Sequence, residues 1–570
     1  MFGANKKVRS AMPVIFFVLA ICALANAFLF KHDYGVLSLS FMFDGGKVFA
    51  HNYFFFGFLP FVFMCVPIVF YVCMKKTNYQ NVFLFAIVCA QILISVGNIE
   101  KIRKNYREVF TKYEVDSQIP DGIVDENGNI VPQFHLSRTR KNVVVLFLDR
   151  AISCFFPYVL QEFSELKTDF DGFVYYPNCV SFGGHTITGS SAMFGGYEYT
   201  GASMNERKSV LLKDKHNEAL SLMPRIFSEA GFEVTVVDLP YTNYKMYFDK
   251  TVLSDIKNVN ALELSKKVGD KYLAEHSSDF TINEDVVCSQ RIKKFCFMEV
   301  IFPLLRKKFY DGGRYCSEIQ LLMEKYSKSF FDSYSELFYL DELTEFDASN
   351  DTFTIIANDL THYNNDFTLI GSDYRPGMSI KGNNESKTGF YDATTKGEIT
   401  SYQVNACAYL LLSKWLKYLR KNNCYDNTRI IVVADHGFFE NYVPFRHFKK
   451  SDDDFCAGAF NPLLLFKDFD MHGEPEVDNA FTSNAETPNL AIRNLPVSNV
   501  NPFTCETLCH AYDFSSFTIV DVTESGKKMN PSEWEDKTQF VDKEVYAYTV
   551  RDNIFDEKNW TKLDTSEAEK

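Results

Sequence analysis

Two short stretches of the chain hold residue types that can act together on a metal and an anion. Asp435-His436-Gly437 closes the apolar run TRIIVVAD, Thr428–Asp435. A carboxylate and an imidazole side by side can share one divalent cation, and the glycine lets the backbone turn away. Asp149 ends a second apolar run, KNVVVLFLD at Lys141–Asp149, and supplies another carboxylate. Between them in sequence lies Ser181–Tyr197, SFGGHTITGSSAMFGGY. Its Gly, Ser and Thr residues let the backbone bend tightly and offer a hydroxyl to an anion. Two carboxylates, one histidine and a hydroxyl around a metal would lower the hydroxyl pKa and make a nucleophile. The same residues also read as helix caps and turns with no metal. The pattern alone leaves both readings open.

The elements that must carry these residues are legible in outline. Lys141–Asp149 and Thr428–Asp435 are continuous apolar runs, the signature of buried parallel strands. Ser221–Ala230 reads as a helix, followed by Gly231 and a strand at Phe232–Asp238. Thr352–Asn358 is a further strand, and Tyr402–Asn422 is a long amphipathic helix. Strands alternating with helices predict an α/β sheet. In such sheets, sites lie beyond the carboxyl ends of the strands. Asp149, Asn358-Asp359 and Asp435-His436 all stand there.

Composition narrows the class. Charged residues are 23% and hydrophobic residues 46%, so most of the 570 residues should fold. Lys plus Arg is 59 against 73 for Asp plus Glu, a formal net charge of −14. That excludes a general nucleic-acid binder, which needs a basic face. The 56 Phe residues point to a membrane-contacting portion. The 14 Cys residues include no CxxC pair and no zinc-finger spacing, and they set no redox compartment.

Three apolar stretches open the chain: Ala11–Phe30, Tyr53–Met74 and about Val82–Val96. A helix needs roughly 20 apolar residues to cross a bilayer, so the first two qualify and the third is short. Ala25-Asn26-Ala27 has the small-x-small form of a signal cleavage site. Phe28, Leu29 and Phe30 follow it directly, which favours a retained helix. Lys6, Lys7 and Arg9 favour a cytoplasmic N-terminus. With three helices, everything after Gly97 lies outside the cytoplasm. The basic Ile99–Tyr113 is then expected as an amphipathic helix on the membrane surface. The expected organisation is a transmembrane segment at 1–100, a juxtamembrane helix and linker at 101–140, a catalytic domain at 141–522 with a helical insertion near 252–346, and an acidic C-terminal tail at 523–570.

From Lys141 to Phe517 the sequence resembles the alkaline-phosphatase superfamily. It is most similar to the sulfatase-like membrane phospho-group transferases: lipoteichoic acid synthases, phosphoglycerol transferases and phosphoethanolamine transferases. The resemblance implies a mixed, mostly parallel sheet flanked by helices. It implies a divalent metal (Mn, Mg or Zn) held by Asp149, Thr186, Asp435 and His436, with Thr186 as nucleophile. Family members place Met or Leu and then Phe shortly after the nucleophile. Met193-Phe194 therefore favours Thr186, with Thr188 as runner-up. The family acid is often Glu, so Asp149 is a departure. His362, in NDLTHYNND, resembles the histidine that contacts the phospho-group or a second metal. His447, in PFRHFKK, stands where relatives place another histidine, and both are expected to bind substrate. His185 lines the pocket or serves the chemistry, and Arg446 either binds a phosphate oxygen or is solvated. The implied partners are a phospholipid donor, an envelope glycan or lipid acceptor, and the membrane, at which the catalytic domain is extracytoplasmic. The alternatives are a phosphoester or sulfuric ester hydrolase and a non-enzymatic lipid-sensing relative. A formylglycine sulfatase needs C/S-x-P-x-R, and Cys179-Val180-Ser181-Phe182-Gly183 lacks the Pro and Arg.

Overall fold

The structure is a computed structural model. It describes residues 18–19, 21–26, 28–30, 54–74, 82, 85–86, 89, 91–101, 103–104, 123–125, 128–276, 284–310, 315–316, 328–362, 369–370, 374–376, 389–440, 442–448, 455–522, 531–541 and 545–563. The chain divides into two units. One comprises 1–122 with 283–320, and the other 123–282 with 321–570.

The larger unit is built on an eight-stranded sheet. Its strands are β1 (Asn142–Leu148), β2 (Val174–Tyr175), β3 (Glu233–Val237), β4 (Val259–Leu262), β5 (Thr352–Asn358), β6 (Thr428–Val433), β7 (Leu464–Lys467) and β8 (Glu476–Val477). Their order is β8-β2-β7-β6-β1-β5-β3-β4. The run from β6 to β4 is parallel. β7 is antiparallel to both of its neighbours. Every residue of β1, β5 and β6 is buried, which explains why they read as unbroken apolar runs.

Helices cover both faces. Here α1 is Thr186–Gly195, α2 is Leu212–Glu229 and α3 is Lys396–Lys421. Side chains of β1 alternate between two cores. Val144, Leu146 and Leu148 join Tyr402, Leu412 and Leu416 of α3. Val143, Val145 and Phe147 join Ile187 and Met193 of α1 and Leu220 and Met223 of α2. Thr395 and Glu398 form a capping box that starts α3.

A second sheet is antiparallel: β9 (Phe517–Val522), β10 (Val545–Val550) and β11 (Trp560–Leu563). The segment expected as an acidic tail thus supplies two strands. Their alternation, as in VYAYTV, was masked by the charge around them. The expected insertion also divides. Its first part contributes edge strand β4, and Asn283–Gln320 belongs to the N-terminal unit.

In that smaller unit, a π turn at Phe54–Phe58 leads into the helix Leu59–Met74. The guanidinium of Arg306, fully buried, donates to the carbonyls of Phe30 (2.6 Å) and Asn26 (2.8 Å), satisfying the end of the helical turn there. Among the described residues no helix is long and apolar enough to cross a membrane. The expected three-helix segment is therefore not met there: Leu59–Met74 has 16 residues, short of the roughly 20 required. Much of Ala11–Phe30, Val82–Val96 and Ile99–Tyr113 lies outside the described residues.

Candidate active site

Three adjacent strands of the parallel run end at one place. Asp149 follows β1, the turn Leu360–His362 follows β5, and Asp435-His436 follows β6. Backbone bonds fix the strand ends. The Asp149 amide donates to the Asn358 carbonyl at 3.0 Å, and the Thr361 hydroxyl donates to the Asp149 carbonyl at 2.7 Å. The Asn484 amide group donates to the carbonyls of Ala434 and Asp435, both at 2.9 Å.

Helix α1 delivers Thr186. All ten of its residues are buried. A Cβ added at Gly189 would stand 2.6 Å from the Asp435 carbonyl oxygen. Only glycine lets α1 lie this close to the end of β6, and the approach places the first helical residue, Thr186, beside the Asp-His pair. Gly437 works differently from the expected turn. Its φ is not left-handed. A Cβ there would meet the Gly458 carbonyl oxygen at 2.1 Å, so this glycine makes room.

Asp149, Asp435 and His436 bring their ligand atoms within 4.8 Å of one another, all buried. The His436 Nδ1–H donates to the Gly437 carbonyl at 2.7 Å. That bond fixes the tautomer and leaves the Nε2 lone pair facing inward. Around Nε2 stand Asp149 Oδ1 at 3.8 Å, Asp435 Oδ2 at 3.7 Å and Thr186 Oγ1 at 3.4 Å. Asp435 Oδ1 accepts the amides of Arg150 (3.1 Å) and His436 (2.9 Å). Asp149 Oδ1 and Asp435 Oδ2 are buried and accept no hydrogen bond from the described residues. Burial pushes both carboxyls up, and for Asp149 the Asp435 and Asp359 charges add to it. Burial and the neighbouring His185 and Arg150 hold His436 neutral, its pKa down to about 3. Two orphaned carboxylate oxygens facing a neutral imidazole nitrogen form the donor set of a divalent cation. The residues present therefore fit a metal.

Thr186 and Thr188 part company here. The Thr188 hydroxyl donates to Asp521 Oδ1 at 2.6 Å, whereas Thr186 Oγ1 lies 3.4 Å from His436 Nε2. Asp521, in β9, also accepts the Gly184 amide at 2.9 Å and the Tyr546 hydroxyl at 2.8 Å. His185 Nδ1 lies 3.4 Å from it, and the His185 ring centroid is 6.5 Å from that of His436. Burial pushes the Asp521 carboxyl up, but His185 and the hydrogen bonds from Thr188 and Gly184 outweigh it and hold its pKa below the usual carboxylate range. Sequence reading missed Asp521, because nothing around TIVDV marks a carboxylate aimed at a loop far upstream.

His362 closes the turn after β5, with His436 and Arg150 in electrostatic reach. His447 stands apart: it is exposed, bonded through Nδ1 to the Pro444 carbonyl at 2.9 Å. Arg446 is neither a phosphate fork nor solvated. It reaches both oxygens of buried Glu398 at 3.0 Å and so ties the start of α3 to the loop after β6.

The α/β sheet gathers two aspartates and a histidine at its strand ends, and α1 sets a threonine beside them. The family model described as Sulfatase matches residues 141–455, more than half of the chain, and the chain belongs to that family. Membership of that family makes the chain an enzyme of sulfatase type. Three solved structures are similar to it in fold. The lipoteichoic acid synthase LtaP from Listeria monocytogenes is 9% identical, with 79% of this chain and 93% of that chain covered and a TM-score of 0.35. The C-terminal periplasmic domain of EcEptC from Escherichia coli is 12% identical, covering 65% and 86%, TM-score 0.32. The phosphonate monoester hydrolase of Agrobacterium radiobacter is 13% identical, covering 75% and 90%, TM-score 0.36. No curated protein matches the chain.

Proposed function

We propose that the protein is a membrane-anchored, metal-dependent transferase. It moves a phospholipid head group, phosphoglycerol or phosphoethanolamine, onto an envelope glycan or lipid through a phosphothreonine at Thr186. The observation that carries this reading is the Thr186 hydroxyl beside Nε2 of His436, facing two orphaned carboxylate oxygens. Asp149, Asp435 and His436, with Thr186, would hold the cation. When bound, a divalent ion (Mn, Mg or Zn) lowers the pKa of a hydroxyl and neutralises charge on transferring oxygens.

The chain's own residues do the rest. Thr186 Oγ attacks phosphorus. Its bond to phosphorus forms as the bond from phosphorus to the diacylglycerol oxygen breaks, and that oxygen leaves with a proton. An acceptor hydroxyl then attacks the same phosphorus, and the Oγ bond breaks as Thr186 regains its proton. His362, beside the cluster, contacts the phospho-group. His447 retains Nε2 for the acceptor side. Apolar Ala11–Phe30 and Tyr53–Met74 hold the enzyme at the lipid surface, with the catalytic domain extracytoplasmic; the basic N-terminus supports that orientation.

Water in place of the glycan would make the enzyme a hydrolase. Incubating the full chain with head-group-labelled phospholipid and envelope acceptors separates the two. Transfer puts label on glycan or lipid; hydrolysis yields only free head-group phosphate. Thr186→Ala should lower either product by at least ~1,000-fold, since the attacking oxygen is gone. Wild-type turnover in that variant would refute the assignment.

A further inference from the structure

The centre holds orphaned atoms of two opposite kinds. The carboxylate oxygens want a cation. Nη2 of Arg150 is a donor, equally buried and equally without a hydrogen-bond partner among the described residues. A buried guanidinium nitrogen with nothing to donate to is costly, so it calls for a ligand. Building on the proposed function, we infer that Arg150 is the clamp for the tetrahedral oxyanion, the phospho or sulfo group, that Thr186 attacks.

Geometry supports this at three points. First, Arg150 follows Asp149 directly, and its amide donates to Asp435 Oδ1. Its Cα is therefore tied between both carboxylates of the cluster. Second, its backbone takes φ 61, a left-handed conformation that strains a non-glycine residue. Glycine or asparagine would sit there more easily. An arginine held there at this cost points to its side chain. Third, the guanidinium lies over the Phe438 ring at 4.0 Å. Stacking fixes the plane of the fork and leaves its edge to bind in-plane acceptors. Among the described residues no carboxylate accepts a hydrogen bond from this fork, in contrast to Arg446 on Glu398 and Arg429 on Asp468. An arginine fork matches two oxygens of a tetrahedral anion better than a lysine point charge does. Phosphate and sulfate esters share that chemistry.

Calorimetry of inorganic phosphate and of sulfate into the metal-loaded full chain tests it, with metal content measured on each sample. Wild type should bind at least one of the two anions, and the one bound more tightly tells a phospho from a sulfo site. Arg150→Gln should weaken that binding at least tenfold with metal content unchanged. Arg150→Lys should fold, keep the charge and still bind several-fold more weakly than wild type. If Arg150→Gln binds the anion like wild type, or Arg150→Lys does where Gln fails to fold, the clamp is elsewhere and the proposed function survives. If metal-loaded wild type binds neither anion, the proposed function itself falls.

Discussion

At the residue scale, the account rests on compensation of buried charge. Asp149 and Asp435 sit close together with raised pKa values, Asp435 up to about 6. In the metal-free protein they bind more protons than the unfolded chain does between about pH 4 and 6. Stability is then present at low pH and is lost as pH rises through the folded pKa values. Metal binding needs the ionised carboxylates, so its affinity moves the other way and rises with pH. Thermal melts across pH 4–8 should show the metal-free enzyme losing stability as pH rises, and added metal restoring it above pH 6. Asp435→Asn and His436→Ala should each lose the bound ion by elemental analysis while circular dichroism stays that of a folded domain. Full metal occupancy in both would show the ion to be held elsewhere. The strand-end position of Asp149 and Asp435-His436 was readable in sequence, because an apolar run that stops at an acid has few other meanings. Arg150 was not readable: its importance lies in a positive φ and a missing partner, and neither is written in residue type.

At the element scale, the sheet and α1 divide the work. The parallel strands bring Asp149 and Asp435-His436 to one end of the sheet, and Gly189 lets α1 set Thr186 beside them. The strands β1, β3, β5 and β6 were legible as apolar runs. So was α3 by its periodicity, read from Tyr402; its true start at Lys396, set by the Thr395–Glu398 capping box, was not. The strands β10 and β11 were hidden by charged flanks and by pairing that only the fold brings about. They matter because Tyr546 of β10 donates to Asp521, and Asp521 accepts from Gly184 and from Thr188 at the start of α1. Ending the chain after Thr523 should therefore lower the melting temperature by several degrees, on the order of 3 kcal/mol for a buried carboxylate network left incomplete. It should also reduce turnover, since the N-terminal turn of α1, which carries Thr186, loses part of its anchor. A truncated chain with the wild-type melt would mean that the tail is the dispensable acidic segment its composition suggested.

At the scale of the whole molecule, the chain pairs a sulfatase-family unit with an apolar N-terminal one. Composition separated the two: the Phe-rich opening against the α/β alternation after Lys141. It did not reveal that 283–320 groups with the N-terminal unit, because helices with mixed charge carry no label of where they pack. If the enzyme works on lipid donors from outside the cytoplasm, protease added to cells with a permeable envelope should cut the linker near Asp121 and release the catalytic unit. Cleavage only after lysis would place that unit on the cytoplasmic side.

The central claim is that Thr186 is the nucleophile of a metal-dependent phospho-group transfer. Its most direct test is to quench the full chain during turnover of labelled phospholipid, digest it, and locate the adduct by mass spectrometry. The account predicts a phosphorylated peptide spanning Ser181–Tyr197 with the modification on Thr186, absent when metal is removed. An adduct on Thr188, or turnover with no adduct on this peptide, would contradict it.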